Sequence, residues 1–346
     1  MFCLEFLVFS RNIRSRIRSS AYPRADVSAA PSRYNQGRMD MLIDKNNKNI
    51  VNALGQISKC LRHSKIQLPD SSSRYKFVFL CGANKATSEV SERRTAVIDF
   101  ARKQLPNTKV LLAEEMFKTL KIEGHKGNIL DVEDLISKFS DFIIIILESP
   151  SAFAELGAFA NPQLRDKLII INDEQYRTSE SFINLGPIAA VEENSGTERV
   201  IHYRMNSNGI NVRDSIGDIY PELYDLLSKP VAVKDSAITI DTLDPSSVFD
   251  KKSVLFIHDL IYILGPVTHK ELIEAVKLIF GVRNHKYVVH IIAVLKAFGS
   301  VSKDDNDRYK SAVNSLYFSY KFDLDKVIAT FRNHTMKYHS RRLYGS

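Results

Sequence analysis

The sequence predicts an α/β fold, a parallel sheet with helices on both faces followed by a smaller, helix-rich domain. Three observations carry it. From residue 75 to about 228, short apolar runs alternate with amphipathic stretches. The run 142–147 is apolar at every position, as a strand covered on both faces must be. Beyond a polar stretch the pattern changes to three helix-length segments and a strand–turn–strand.

Taken in order, Ile50, Val51, Leu54, Ile57 and Leu61 recur at helical spacing, so 49–61 is a lead-in helix, and the polar run 69–74 separates it from the first strand. Residues 75–80 form that strand, 88–105 an amphipathic helix stopped before Pro106, and 109–112 a second strand. A helix at 130–139, the central strand at 142–147, a helix at about 152–160 and a strand at 167–171 complete the alternation, with 219–227 its last regular element. Then 254–264, 270–280 and 286–298 read as helices, and 299–310 as a hairpin with a polar tip; three short helices and a hairpin describe a winged helix-turn-helix. The predicted organisation is a tail at 1–42, disordered or belonging to a start assigned upstream of Met39 or Met41; a lead-in helix and linker at 43–72; a sheet domain at 73–228; a linker at 229–250; and the winged-helix domain with a C-terminal tail at 251–346.

The net charge of +8 is divided unevenly. Residues 1–38 hold seven Arg against two acidic residues, and 251–346 hold sixteen Lys/Arg against eight Asp/Glu, while the body between them is net acidic. That distribution excludes a uniformly basic coat and points any nucleic-acid contact to the C-terminal domain. Candidate contacts there are Lys270, Lys277, Arg283 and Lys286, although the hairpin tip carries Asp304, Asp305 and Asp307, a poor match to phosphate. Tyr309, Tyr317, Phe318 and Tyr320 read either as stacking surfaces or as core. Cys3, Cys60 and Cys81 are odd in number and far apart, which excludes a disulfide scaffold and a zinc finger, and no metal is expected. No apolar run has the length of a membrane span, so a soluble, cytoplasmic protein is expected.

In a parallel sheet, ligands bind beyond the carboxyl ends of the strands. Three polar clusters fall there: Cys81, Gly82 and Ala83 after the first strand, Glu114 and Glu115 after the second, and Glu148-Ser149-Pro150-Ser151 leading to Glu155 after the central one. In the third, a Ser-Pro-Ser turn opens a helix whose amides suit an anion or ribose phosphate, with Glu155 one turn in and Gly157 and Ala158 leaving room beside it. The same residues also read as a plain helix start, with Ser151 as cap and Glu155 near the positive end. No glycine-rich phosphate loop of Walker or Rossmann spacing is present.

The runs Leu80-Cys81-Gly82, Glu114-Glu115-Met116-Phe117, the twelve residues 148–159 and Ser181-Phe-Ile-Asn-Leu-Gly-Pro187 together resemble the retron-associated effector proteins of bacterial anti-phage defence. The catalytic part of that family is similar to nucleoside 2-deoxyribosyltransferases on a flavodoxin-like sheet, its C-terminal part is a winged helix, and the resemblance covers about residues 73–320. It implies a toxic N-glycosidase that cuts the base–ribose bond of NAD⁺ or a related nucleotide. Glu155 matches the nucleophile; Glu148 matches a second acidic position only loosely. Cys81, Gly82, Ala83, Glu114, Glu115, Ser149 and Ser151 would line the substrate. The sequence offers no dedicated acid for a purine, His125 being the nearest, which favours NAD⁺, since nicotinamide leaves neutral without a proton. NAD⁺ enters as substrate, and no cofactor is called for. The implied partners are a reverse transcriptase and its branched RNA–DNA, with a homo-oligomer left open. The rival reading is a nucleotide-sensing, DNA-binding regulator without turnover.

Overall fold

The computed structural model describes residues 41–342 except 71–73, 123, 125, 230–235, 244–248, 283–284, 286 and 341. The elements that build the sheet are β2 (Lys76–Cys81), α2 (Glu92–Gln104), β3 (Thr108–Leu111), α3 (Ala113–Ile122), α4 (Ile129–Phe139), β4 (Phe142–Ile146), α5 (Pro150–Phe159), β5 (Leu168–Asp173), α6 (Ala189–Ser195), β6 (Val200–Tyr203) and α7 (Tyr220–Ser228). Before them come α1 (Lys48–Arg62) and the short β1 (Ile66–Gln67). After them come β7 (Ala237–Ile238), α8 (Lys251–Leu264), β8 (Val267–Thr268), α9 (His269–Phe280), α10 (Val288–Ala297), β9 (Val301–Lys303), β10 (Arg308–Ser311), β11 (Ser319–Tyr320) and α11 (Leu324–Tyr338).

Five parallel strands pair in the order β3-β2-β4-β5-β6, with Val78 beside Phe142 and Ile143 beside Leu168. Counted along the chain this is 2-1-3-4-5, so connections leave β2 and β4 in opposite directions and open a crevice at their carboxyl ends. Period-two alternation divides the strands between two cores. Phe77, Phe79, Ile143, Ile145, Leu168 and Ile170 face α3, α4 and α5, whereas Val78, Leu80, Ile144, Ile146, Ile169 and Ile171 face α2 and α7. The all-apolar β4 is buried throughout, as the sequence requires.

The first core runs on without interruption into α1 and α8–α11. α10 lies against α3, and Phe298 packs on Phe77 with ring centroids 5.2 Å apart. The C-terminal elements include three helices, α8 to α10, with an antiparallel sheet ordered β8-β10-β9, and then β11 and α11. Within the stretch read as a linker, β7 pairs with β1, which also pairs with β11. Leu42, read as the end of the tail, is fully buried, and its N–H donates to Glu271. Tyr309, Tyr317 and Phe318 are core residues rather than stacking surfaces. Among the described residues no helix is long and apolar enough to cross a membrane.

Candidate active site

Three sequence choices shape the crevice. Ser149 rather than Ser151 caps α5: its Oγ accepts the Ala152 N–H at 3.3 Å and lies 2.9 Å from Ser151 Oγ. The helix can start at Pro150 because proline at the first helical position forfeits an N–H that would have no partner there. α3 begins directly after β3, so Glu114 and Glu115 stand in a helix's first turn, where carboxylates are favoured. Ser91 caps α2 by accepting the Arg94 N–H, and this places Arg93 and Arg94 in that helix's first turn.

Both arginines are almost wholly buried and serve different carboxylates. Arg94 donates Nη1 and Nη2 to the two oxygens of Glu114 at 2.7 and 3.2 Å, and also reaches Asn84 Oδ1 at 2.9 Å and Leu80 O at 3.0 Å. Burial pushes the Glu114 carboxyl up, but this fork outweighs it and holds Glu114 below the usual carboxylate range. Arg93 donates to Glu148 at 3.1 Å and to Asp214 at 2.9 Å. Glu148 is completely enclosed and accepts also from Ala83 N–H at 3.0 Å and Ser91 Oγ at 2.6 Å. Gly82 passes so close that a β-carbon there would lie 2.9 Å from Glu148 Oε1 and 3.0 Å from Arg94 Cδ.

Glu155 differs from all of these. Its Oε2 is sealed from solvent and has no hydrogen-bond partner. Burial pushes its carboxyl up to about 7; the charges of Glu133 and Glu114 add to this, and Arg94 opposes it. Glu133, on α4, is itself raised by burial and by Glu114. The Cys81 thiol, buried at the end of β2, is pushed well up by burial and next by the charge of Glu155. Glu155, Cys81, Glu114, Glu133 and Arg94 thus form one electrostatic cluster between α3, α4 and α5.

Of the predicted site residues, the structure brings Glu155, Cys81 and Glu114 together. Glu148 and Ser149 instead border a cleft of about 810 Å³ that also includes Arg93, Phe153, Asp173 and Arg204 but not Glu155. Gly82 and Ala83 shape the β2 turn, Ser151 pairs with the cap, and Glu115 is exposed, its carboxyl raised by partial burial and by Glu114. Sequence reasoning missed Arg93, Arg94, Asp214 and Glu133. A signal for the arginines was present: two consecutive cations at a helix N-terminus oppose the helix dipole and call for fixed carboxylates. In the 181–187 motif, Asn184 Nδ2 donates to Tyr176 O at 2.7 Å and Ser179 O at 2.8 Å, pinning a π turn that accommodates Pro187. His125 lies outside the described residues, as do Arg283 and Lys286. Lys270 is exposed, while Lys277 is engaged by Glu274 at 2.8 Å, whose other oxygen takes Lys45 at 2.6 Å.

Residues 90–303, from the entry to α2 through β9, match the family described as STM3845 retron effector protein. The chain belongs to this retron effector family. It is similar to the Escherichia coli protein named "Retron Ec73 putative ribosyltransferase/DNA-binding protein", with 40% identity over 309 residues, 87% of this chain and 97% of the relative. A second Escherichia coli protein, "Retron Ec86 putative ribosyltransferase/DNA-binding protein", is 35% identical over 112 residues, 32% of this chain and 36% of the relative. The family match takes in β3 to β6 of the sheet and α8 to α10 after it.

Proposed function

We propose that this retron effector is an N-glycosidase that cuts the base–ribose bond of NAD⁺ or a related nucleotide at Glu155. The observation that carries the reading is the Glu155 carboxyl, buried, without a partner on Oε2 and pushed up to about 7 by burial. A carboxylate in that state is poorly stabilised by the free protein and gains most from a cation placed beside it. The oxocarbenium-like C1′ of a ribose losing its base is such a cation, so the interaction strengthens toward the transition state.

In the reaction, the C1′–N bond breaks and nicotinamide leaves as a neutral molecule with the bonding electron pair. Glu155 stabilises the cation or forms a ribosyl ester; water then attacks C1′, releasing ADP-ribose and one proton and restoring the carboxylate. The role of Arg94 is to limit the like-charge repulsion on Glu155 by neutralising Glu114. The names of both relatives, ribosyltransferase and DNA-binding, agree with ribosyl chemistry joined to a nucleic-acid partner. The basic C-terminal part, with α8 to α10 and the β8-β10-β9 sheet as a winged helix, would hold the retron's branched RNA–DNA and reverse transcriptase.

The test is the purified chain incubated with NAD⁺, with nicotinamide monitored by chromatography. Wild type should release nicotinamide and Glu155→Gln should release none while melting cooperatively. Equal release from both proteins, or none from wild type freed of its partners, overturns the proposal.

A further inference from the structure

A polar groove of about 670 Å³ runs between α1 and α11, and it contains none of the residues assigned above to nucleic-acid contact. Asn47, Asn52 and Gln56 on one wall face Lys326, His334 and Lys337 on the other, and no aspartate or glutamate is among the described residues lining it. α1 carries no acidic residue at all, and its exposed face adds Lys48, Lys59 and Arg62. The α9 surface and the hairpin tip contrast with this. Lys277 is engaged by Glu274, and the tip pairs Lys303 with Asp307 at 3.1 Å and Arg308 with Asp304 at 2.9 Å.

The hydrogen bonds of the groove leave one buried donor unused. Asn47 caps α1, its Oδ1 accepting the N–H groups of Asn49 at 3.0 Å and Ile50 at 3.4 Å, and this fixes which way the amide points. Its Nδ2 must therefore donate to His334 Nδ1, 3.1 Å away. Burial pushes the His334 imidazolium toward its neutral form, so the proton of the neutral ring sits on Nε2. That atom is buried and has no partner. Asp44 is near enough to influence His334, but its Oδ1 accepts the Asn46 N–H at 2.9 Å. The lysine and amide donors that line the groove, with no carboxylate among the described residues there, match a ligand rich in oxygen acceptors.

Length and an exposed ring narrow the ligand class. A base can stack on a protein ring only where it is not already stacked within a duplex, so an exposed aromatic ring beside a cation favours a single strand. From Asn47 to Gln56 the groove extends about 14 Å along α1 at 1.5 Å per residue. At its end the Tyr338 ring is 57% exposed, with Lys337 Nζ 5.1 Å from its centroid, which combines a stacking surface with a cation.

We propose that the α1–α11 groove binds single-stranded nucleic acid, with phosphates against Lys326 and Lys337 and a base on Tyr338. The proposal takes its nucleic-acid partner from the function argued above and nothing from the ribosyl chemistry, so failure at Glu155 leaves it standing. The test is fluorescence anisotropy of the full chain with a labelled 20-nucleotide single-stranded DNA, a duplex of the same sequence as competitor, and a salt series. Lys326→Gln/Lys337→Gln should weaken single-strand binding at least tenfold at low salt. It should also lower the slope of log K against log salt by about 1.4, two contacts at about 0.7 each. Lys326→Arg/Lys337→Arg should restore binding, which excludes a folding artefact. Binding unchanged in the glutamine variant, a duplex preferred by wild type, no binding at all, or a loss confined to Lys270→Gln overturns the assignment.

Discussion

Arg94 grips both carboxylate oxygens of Glu114, at 2.7 and 3.2 Å, and so ties the start of α3 to α2, while its bond to Leu80 O at 3.0 Å holds both to β2. Arg94 is almost wholly buried and Glu114 largely so, which makes the fork structural as well as electrostatic. Arg94→Gln should cost about 2–4 kcal/mol in urea unfolding, because it leaves Glu114 without its buried cation. It also removes the positive charge that opposes the upward shift of Glu155. The rising limb of NAD⁺ cleavage against pH should therefore move to higher pH than in wild type. An unshifted limb would show that Glu155 does not titrate in that step.

Glu155 itself couples stability to pH. A carboxyl at about 7 in the folded state, against an ordinary 4.5, means that the folded chain holds a proton that the unfolded chain has released. The contribution is fully present below about 4.5 and is lost as pH rises through about 7. Glu155→Gln lacks this loss and should be more stable than wild type above pH 7, by about 1–3 kcal/mol, with the gap closing toward pH 5. Urea midpoints of both proteins at pH 5 and 8 measure it. Inactivity combined with higher stability would separate a catalytic carboxylate from a supporting one.

Removing Glu148 should change stability in the opposite direction. Its oxygens already accept from Ala83, Ser91 and Arg93, so it organises the β2 turn. Glu148→Ala leaves Arg93 with Asp214 as its one carboxylate partner among the described residues and should cost about 2–4 kcal/mol, measured by chemical denaturation. Gly82→Ala, which drives a methyl against the same carboxylate, should also destabilise, by about 1–3 kcal/mol. A Glu148→Ala protein as stable as wild type would return this residue to the substrate contacts.

These contrasts explain what the sequence made legible. β2, β4 and β5 were readable because a strand covered on both faces must be apolar at each position, and Ile143 to Ile146 leave no other reading. β6 was not, since its four residues include the half-exposed His202 and are flanked by Arg199 and Arg204. No element is predicted at α3, because it starts with no turn after β3. Glu155 is singled out by the family resemblance, since its place after a strand and a Ser-Pro-Ser turn also reads as a plain helix start. Arg93 and Arg94 at a helix N-terminus signal a need for carboxylates, but neither their partners nor Glu133 could be read, because charged residues on an amphipathic helix look the same in sequence whether they face solvent or a buried partner. Only the fold brings α2 over Glu148 and Glu114.

The C-terminal part depends on a second buried carboxylate. Asp259, on α8, is fully enclosed and accepts the N–H groups of Tyr317 at 2.8 Å and Phe318 at 3.0 Å and the Tyr320 hydroxyl at 3.0 Å. His258 lies 3.1 Å from it through Nδ1 and 2.9 Å from Ser311 Oγ through Nε2, so one His-Asp pair fastens both β10 and the chain before β11 to α8. Burial raises the Asp259 carboxyl while the His258 contact and the two backbone N–H groups lower it, so the charge is tolerated because these donors surround it. Asp259→Ala should cost about 3–5 kcal/mol, leaving two buried amides unsatisfied. Asp259→Asn keeps an acceptor but turns an NH₂ toward one of those donors, and should fall between the alanine variant and wild type. Hydrogen exchange gives the local readout: the amides of Tyr317 and Phe318 should lose protection in both variants, whereas those of β2 and β4 keep theirs until global unfolding. Equal loss across the sheet would instead show that α8 and the sheet unfold as one cooperative unit, as their shared apolar core permits.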